Sequence, residues 1–111
     1  MVRTAIESRC KTIVPTSATA FSVAGYGKVT ILVNVTTANG GISAMASGTS
    51  SAQSNTVKVL KNDGVTEATT VTSASTGAID PVSYIGSDDY LKITYANASV
   101  LVLLSEPVLS N

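Results

Sequence analysis

The sequence predicts an all-β fold: a single domain of short antiparallel strands packed as a β-sandwich of jelly-roll type. Three observations predict it. Apolar and polar residues alternate with period two through several runs rich in β-branched side chains. Turn-forming residues recur roughly every 8–12 positions. No window shows capped periodicity near 3.6 residues, so no amphipathic helix is expected. The 111 residues suit one core, and no repeat or linker divides them. One domain over residues 1–111 is expected, with residues 1–10 as an extended N-terminal arm.

Weaker strand patterns come first, at residues 11–14 and 19–23, followed by the turn Ala24-Gly25-Tyr26-Gly27. The clearest strand starts at Lys28. Val29, Ile31, Val33 and Val35 share one face, while Lys28, Thr30, Asn34 and Thr36 share the other, with Leu32 an apolar exception there. Side chains alternate across a strand, so the valine and isoleucine face belongs to the core. Asn39-Gly40-Gly41 turns the chain into a weak strand at 41–46. Residues 46–55, rich in serine and low in complexity, are expected to form a mobile loop. Residues 72–77 are a second loop of this kind.

Residues 56–61 alternate again, with Val57 and Val59 inward. Asn62-Asp63-Gly64 then supplies positions that tolerate positive φ, and residues 65–72 continue beyond it. This reads as a hairpin closed by a type I turn with a glycine bulge. A weak strand at 83–85 leads to the turn Ile85-Gly86-Ser87-Asp88-Asp89. Residues 90–95 place Leu91, Ile93 and Tyr95 on one face. Asn97 with Ala98 forms the next turn, and residues 99–106 return as a strand. Val100 to Leu104 is apolar at every position, which reads as a central strand covered on both faces. Pro107 ends it.

Composition excludes most chemistry. There is no histidine and only one cysteine. Ser-His-Asp and Cys-His pairs, histidine metal sites and an internal disulfide are therefore unavailable. Cys10, between Arg9 and Lys11, reads either as a reactive thiol or, more commonly, as a small and partly buried residue. Asp88-Asp89 could hold calcium with loop carbonyls, yet adjacent turn residues usually diverge and calcium needs six or more oxygens. A solvated turn is the plainer reading. The expectation is a non-enzymatic protein with no metal and no cofactor.

Apolar runs are too short to cross a membrane as helices, and Arg3, Glu7, Arg9 and Lys11 interrupt what would be a signal core. Seven cations balance seven acids, which argues against nucleic acid as a partner. The two signs are segregated. Residues 1–61 hold six cations against one acid, and residues 62–111 hold one cation against six acids. Interleaved strands could neutralise this division internally, or it could steer docking on complementary patches. No charged residue occurs at 12–27 or at 29–57. Edges that lack charge are normally prone to pairing, so permanent contacts within an assembly are expected to protect them.

The chain, with fifteen serines and fifteen threonines in all, begins Met1-Val2-Arg3-Thr4-Ala5-Ile6-Glu7-Ser8-Arg9-Cys10-Lys11 and continues as a hydroxyl-rich body. It closes on Leu101-Val102-Leu103-Leu104-Ser105-Glu106-Pro107. In length, composition and texture it resembles the small capsid decoration, or staple, proteins of epsilon-fifteen-like tailed phages. The resemblance implies a jelly-roll virion protein on the capsid exterior, reached after synthesis in the host cytoplasm. It implies bridging of neighbouring major capsid protein subunits and pairing as a homodimer. Arg3, Arg9 and Lys11 are the expected capsid contacts, because they precede the first clear strand and lack an evident internal acid. The competing reading is a carbohydrate- or surface-binding module, an adhesin or tail-fibre component, using Tyr26, Tyr84 and Tyr90 as a small platform.

Overall fold

The computed structural model describes residues 10–49 and 52–105. These residues form eleven strands and no helix: β1 (Cys10–Ile13), β2 (Thr19–Ser22), β3 (Lys28–Val35), β4 (Gly40–Thr49), β5 (Ala52–Thr56), β6 (Val59–Leu60), β7 (Glu67–Ala68), β8 (Val71–Ser73), β9 (Gly77–Tyr84), β10 (Tyr90–Ala96) and β11 (Ala98–Ser105). Every pairing is antiparallel. One sheet runs β1-β11-β3-β9-β6-β7, the other β2-β10-β4-β5, with β8 also on β4. The two sheets pack together around one contiguous apolar cluster.

The alternation that predicts β3 is the alternation that builds the core. Val29, Ile31, Val33 and Val35 are buried, as are Val100 and Val102 on the neighbouring strand β11 and Ile93 on the facing sheet. Ile93 and Ile42 supply the second sheet's side. Aliphatic side chains carry this interior, with Phe21, Tyr26, Tyr84 and Tyr95 packed only at its margins. Asn97 takes φ of 55° and closes the β10–β11 hairpin, as its sequence suggests. Its carbonyl accepts the backbone N–H groups of Thr36 and Thr37, tying that hairpin to the end of β3.

Several expectations need correction. Residues 46–55 are not a loop: β4 runs to Thr49 and β5 starts at Ala52. Small residues permit the close approach of these strands, since a Cβ on Gly48 would strike the Ala52 carbonyl. Residues 56–61 are not one strand. The chain leaves the second sheet at Thr56 and joins the first at Val59, and Val57 and Val59 are buried on either side of the crossing. Residues 65–72 are likewise divided, because β7 pairs β6 while β8 crosses to β4. Residues 72–77 contain the end of β8 and the start of β9, with bends only between them. The weak pattern at 83–85 is the end of an eight-residue strand, β9. Cys10 is exposed rather than partly buried.

The β6–β7 turn follows its sequence signal closely. The Gly64 N–H donates to the Lys61 carbonyl at 3.0 Å, and Gly64 has φ of 75°. The Asp63 carboxylate accepts the N–H groups of Val65 and Thr66, both at 2.8 Å, and the Thr66 hydroxyl. These donors favour the charged form, with the Thr66 hydroxyl first among them, and hold the Asp63 pKa at about 2, below the ordinary 3.8. A depressed carboxylate stabilises the fold above its unfolded pKa and loses that contribution as pH falls through the folded value. The window lies between about pH 4 and 2. Carbon-13 titration of the Asp63 carboxyl is expected to show its midpoint near 2, with the Val65 and Thr66 amide shifts following it. A midpoint at the ordinary carboxylate value would show that the loop does not hold this bonding in solution.

Candidate functional site

The sheet β1-β11-β3-β9 has an outer face that its sequence does not prepare for solvent. Register sets which residues share it. Leu101 lies opposite Leu32, and Leu103 lies between Thr12 and Thr30. Ile13 pairs with Val102, so Val14 follows on the outer side next to Leu101. Beyond Leu32, β9 carries an irregularity in which Asp80 and Pro81 together oppose one residue of β3. Proline lacks an N–H and suits such a bulge. The result is an apolar row, Val14–Leu101–Leu32–Pro81, across four strands.

Val14 is 73% exposed and Leu103 36%. The row lines an open groove of about 550 Å³, with Asn34, Ser99 and Asp80 as its polar margins. The expectation that β11 is covered on both faces is therefore corrected. Val100, Val102 and Leu104 are buried, but Leu101 and Leu103 face outward with no layer of the described residues over them. A central strand need only have strand neighbours on both edges, and β11 has them in β1 and β3.

Of the three cations expected at a contact, Arg3 and Arg9 lie outside the described residues. Lys11 is exposed on the edge strand β1 and pairs with Leu104, so it stands on the core side of the sheet at its rim. A lysine in that position also deters pairing of a further strand onto β1. Halves of opposite charge do meet: Lys58 lies 3.8 Å from Glu67, with both side chains largely exposed. Such a pair contributes little stability.

The acidic turn is organised rather than merely solvated. One oxygen of Asp88 accepts the Ser47 hydroxyl at 2.7 Å and the Asn55 amide at 3.0 Å, linking the β9–β10 loop to the β4–β5 hairpin. Those bonds lower the Asp88 pKa, with Ser47 the larger cause. Ser47 is buried and its hydroxyl is satisfied by this contact. The Asp88 N–H donates to the Tyr84 hydroxyl at 3.1 Å. Nothing in the local sequence around Asp88 signals a partner 41 residues away.

The three tyrosines line two adjoining hollows. Tyr26 and Tyr84 pack against the core and line a small hollow of about 90 Å³. The loop backbone lies on the Tyr84 ring, since a Cβ on Gly86 would strike its phenol. Tyr90 lines the adjoining depression with Gly48 and Thr49, and Ser87, Asp88 and Asp89 border both. Tyr95, absent from that expectation, is structural: its hydroxyl donates to the Pro15 carbonyl, and Ser17 bonds both its N–H and its carbonyl.

Searches with this chain matched no protein-family model, no curated protein and no solved structure.

Proposed function

We propose that this protein is a non-enzymatic clamp, a decoration protein that docks on the outside of an icosahedral phage capsid and staples neighbouring major capsid protein subunits. The apolar row on the outer face of the first sheet carries the reading. Fully burying a valine or leucine side chain is worth about 1.5–3 kcal/mol, so covering what remains exposed of Val14, Leu101 and Leu32 beside Pro81 supports a lasting protein contact. Chemistry does not compete for the surface, because the chain contains no histidine and a single thiol. Packaged genome strains a thin shell, and clamps across many seams raise the barrier to separation even when each is weak.

The fold we propose is a jelly roll, and strand order supports it. The chain alternates between sheets, and β1–β11, β2–β10, β3–β9 and β4–β8 are all paired. These four pairs are what a long hairpin rolled into a sandwich would bring together. The segment β5–β7 then reads as an insertion that lengthens one edge of each sheet.

In this reading the apolar row meets the shell, while Arg3 and Arg9, with Lys11 reaching round from the sheet's rim, add an electrostatic component against shell carboxylates. A homodimer on the capsid exterior would double the contact through avidity. The test is cosedimentation with phage shells that lack the protein. Leu101→Asp is expected to keep the wild-type melting behaviour within about 1 kcal/mol, as for substitutions outside the core, and to lose shell occupancy. Deleting residues 1–9 is expected to lower occupancy and flatten its dependence on salt, since screening acts on the exposed cations. Wild-type occupancy by Leu101→Asp would remove the groove from the contact. Failure of the intact protein to bind any shell would overturn the clamp itself.

A further inference from the structure

A second concavity lies on the other side of β9. Its strand pairs β3 along most of its length, but β6 covers it only at Ser83 and Tyr84. Among the described residues no strand pairs the remainder of that edge. Past the end of the β6–β7 hairpin the gap opens into a cleft of about 510 Å³, within the usual range of roughly 300–1,000 Å³ for small-molecule sites. Its floor is aliphatic, built from Val71, Ile79 and Val82, and its rim is polar, built from Lys61, Asn62, Thr70, Thr72 and Asp80.

We propose that this cleft binds a neutral saccharide, an activity distinct from the clamp although Ile79 and Asp80 line both the cleft and the groove. The rim decides the ligand class. Asp80 is exposed, and no hydrogen bond or ion pair occupies its carboxylate among the described residues. It is available to accept hydroxyl donors, while Lys61 and Asn62 donate and the two threonines do either. Ile79, half-buried between the core residues Val71 and Val82, offers the floor's aliphatic contact for the C–H face of a pyranose ring.

Other classes fit worse. One lysine beside Asp80 and Asp63 gives the rim no positive excess, which disfavours a phosphate. Asp63 itself is already engaged by Val65 and Thr66. A wholly apolar ligand would strip water from Lys61 and Asn62 without replacing it. An added peptide strand would meet the irregular Asp80-Pro81 stretch, where Pro81 has no N–H to offer. With no aromatic ring in the lining, binding is weak, with Kd on the order of 1 mM.

The experiment is an NMR titration of the nitrogen-15-labelled full chain with galactose, mannose and N-acetylglucosamine, each to tens of millimolar, with inorganic phosphate as the comparison. At least one sugar is expected to move the amides of Asn62, Thr70, Thr72 and Asp80 together. Asp80→Ala is expected to weaken that sugar about tenfold, the loss of a hydrogen bond to a charged group, with the melting temperature unchanged. Leu101→Asp, in the groove across β9, is expected to bind it as wild type does. No response to any of the three sugars, shifts centred elsewhere, preference for phosphate, or an undiminished Asp80→Ala affinity would each overturn the proposal. Because Asp80 also borders the groove, Leu101→Asp is the variant that separates sugar binding from shell binding.

Discussion

Val33→Asp is expected to unfold the domain. Val33 is 3% exposed, pairs with Val100 on one side and Ile79 on the other, and lies at the middle of the first sheet. Nothing in the apolar cluster around it can pair with a carboxylate. An uncompensated buried charge costs roughly 3–5 kcal/mol, and the lost valine packing adds about 1. Domains of this size hold about 5–15 kcal/mol in total. The neighbouring change Asn34→Asp supplies the control, because Asn34 is exposed on the opposite face of the same strand. It is expected to alter stability by about 0.5 kcal/mol at most. Far-ultraviolet circular dichroism and urea denaturation distinguish the two variants. A cooperative, native-like transition in Val33→Asp would mean that β3 does not face the interior.

That contrast also indicates how much of the molecule can be read from the chain. A period-two pattern reports which face of a strand is buried, and it reports this well for β3, where four β-branched residues alternate with polar ones. It does not report which sheet buries it. Val57 and Val59 are both correctly inward, yet the chain changes sheets between them, because either sheet satisfies the same alternation. The pattern also fails where side chains are small. Residues 46–55 look featureless as a run of mostly alanine, serine and glycine with Thr49, Gln53 and Asn55, but the missing side chain at Gly48 is what lets β5 lie close against β4.

The candidate sites were less legible for a different reason. Val100 to Leu104 is apolar throughout, and sequence alone cannot distinguish a strand covered on both faces from one whose outer face awaits a partner. Register shows which side chains share the outer face, setting Leu101 against Leu32 and Val14 in one row that no described layer covers. The cleft beyond β6 depends on where a two-residue strand stops, and no local pattern marks that end. Asp88 acquires its role from Ser47 and Asn55, far away in the chain. Tertiary placement, not residue type, makes each of these features.

Gly41→Ala is expected to be the most damaging of the glycine substitutions, and comparison with Gly64→Ala shows why. Both glycines have positive φ, 129° at Gly41 and 75° at Gly64. A left-handed conformation costs a non-glycine residue about 1–2 kcal/mol, so alanine is strained at either position. Their surroundings differ. At Gly64 a new Cβ meets nothing within 4 Å. At Gly41 it would run into the Val71 carbonyl and lie 2.7 Å from the Thr72 Cα. Those are backbone atoms of β8, which pairs Gly41 with Thr72 and Ile42 with Val71. No side-chain rotation relieves the clash, so β8 must separate from β4, and with it Val71 leaves the core. Conformational strain, the lost ladder bonds and the exposed valine together put the expected loss at about 4 kcal/mol or more. Gly64→Ala, which pays the backbone strain alone, is expected to lose about 1 kcal/mol. Paired urea denaturation curves measure both values. Equal losses at the two sites would mean that β8 does not approach Gly41 in solution, and the β4–β8 pair would drop out of the rolled arrangement.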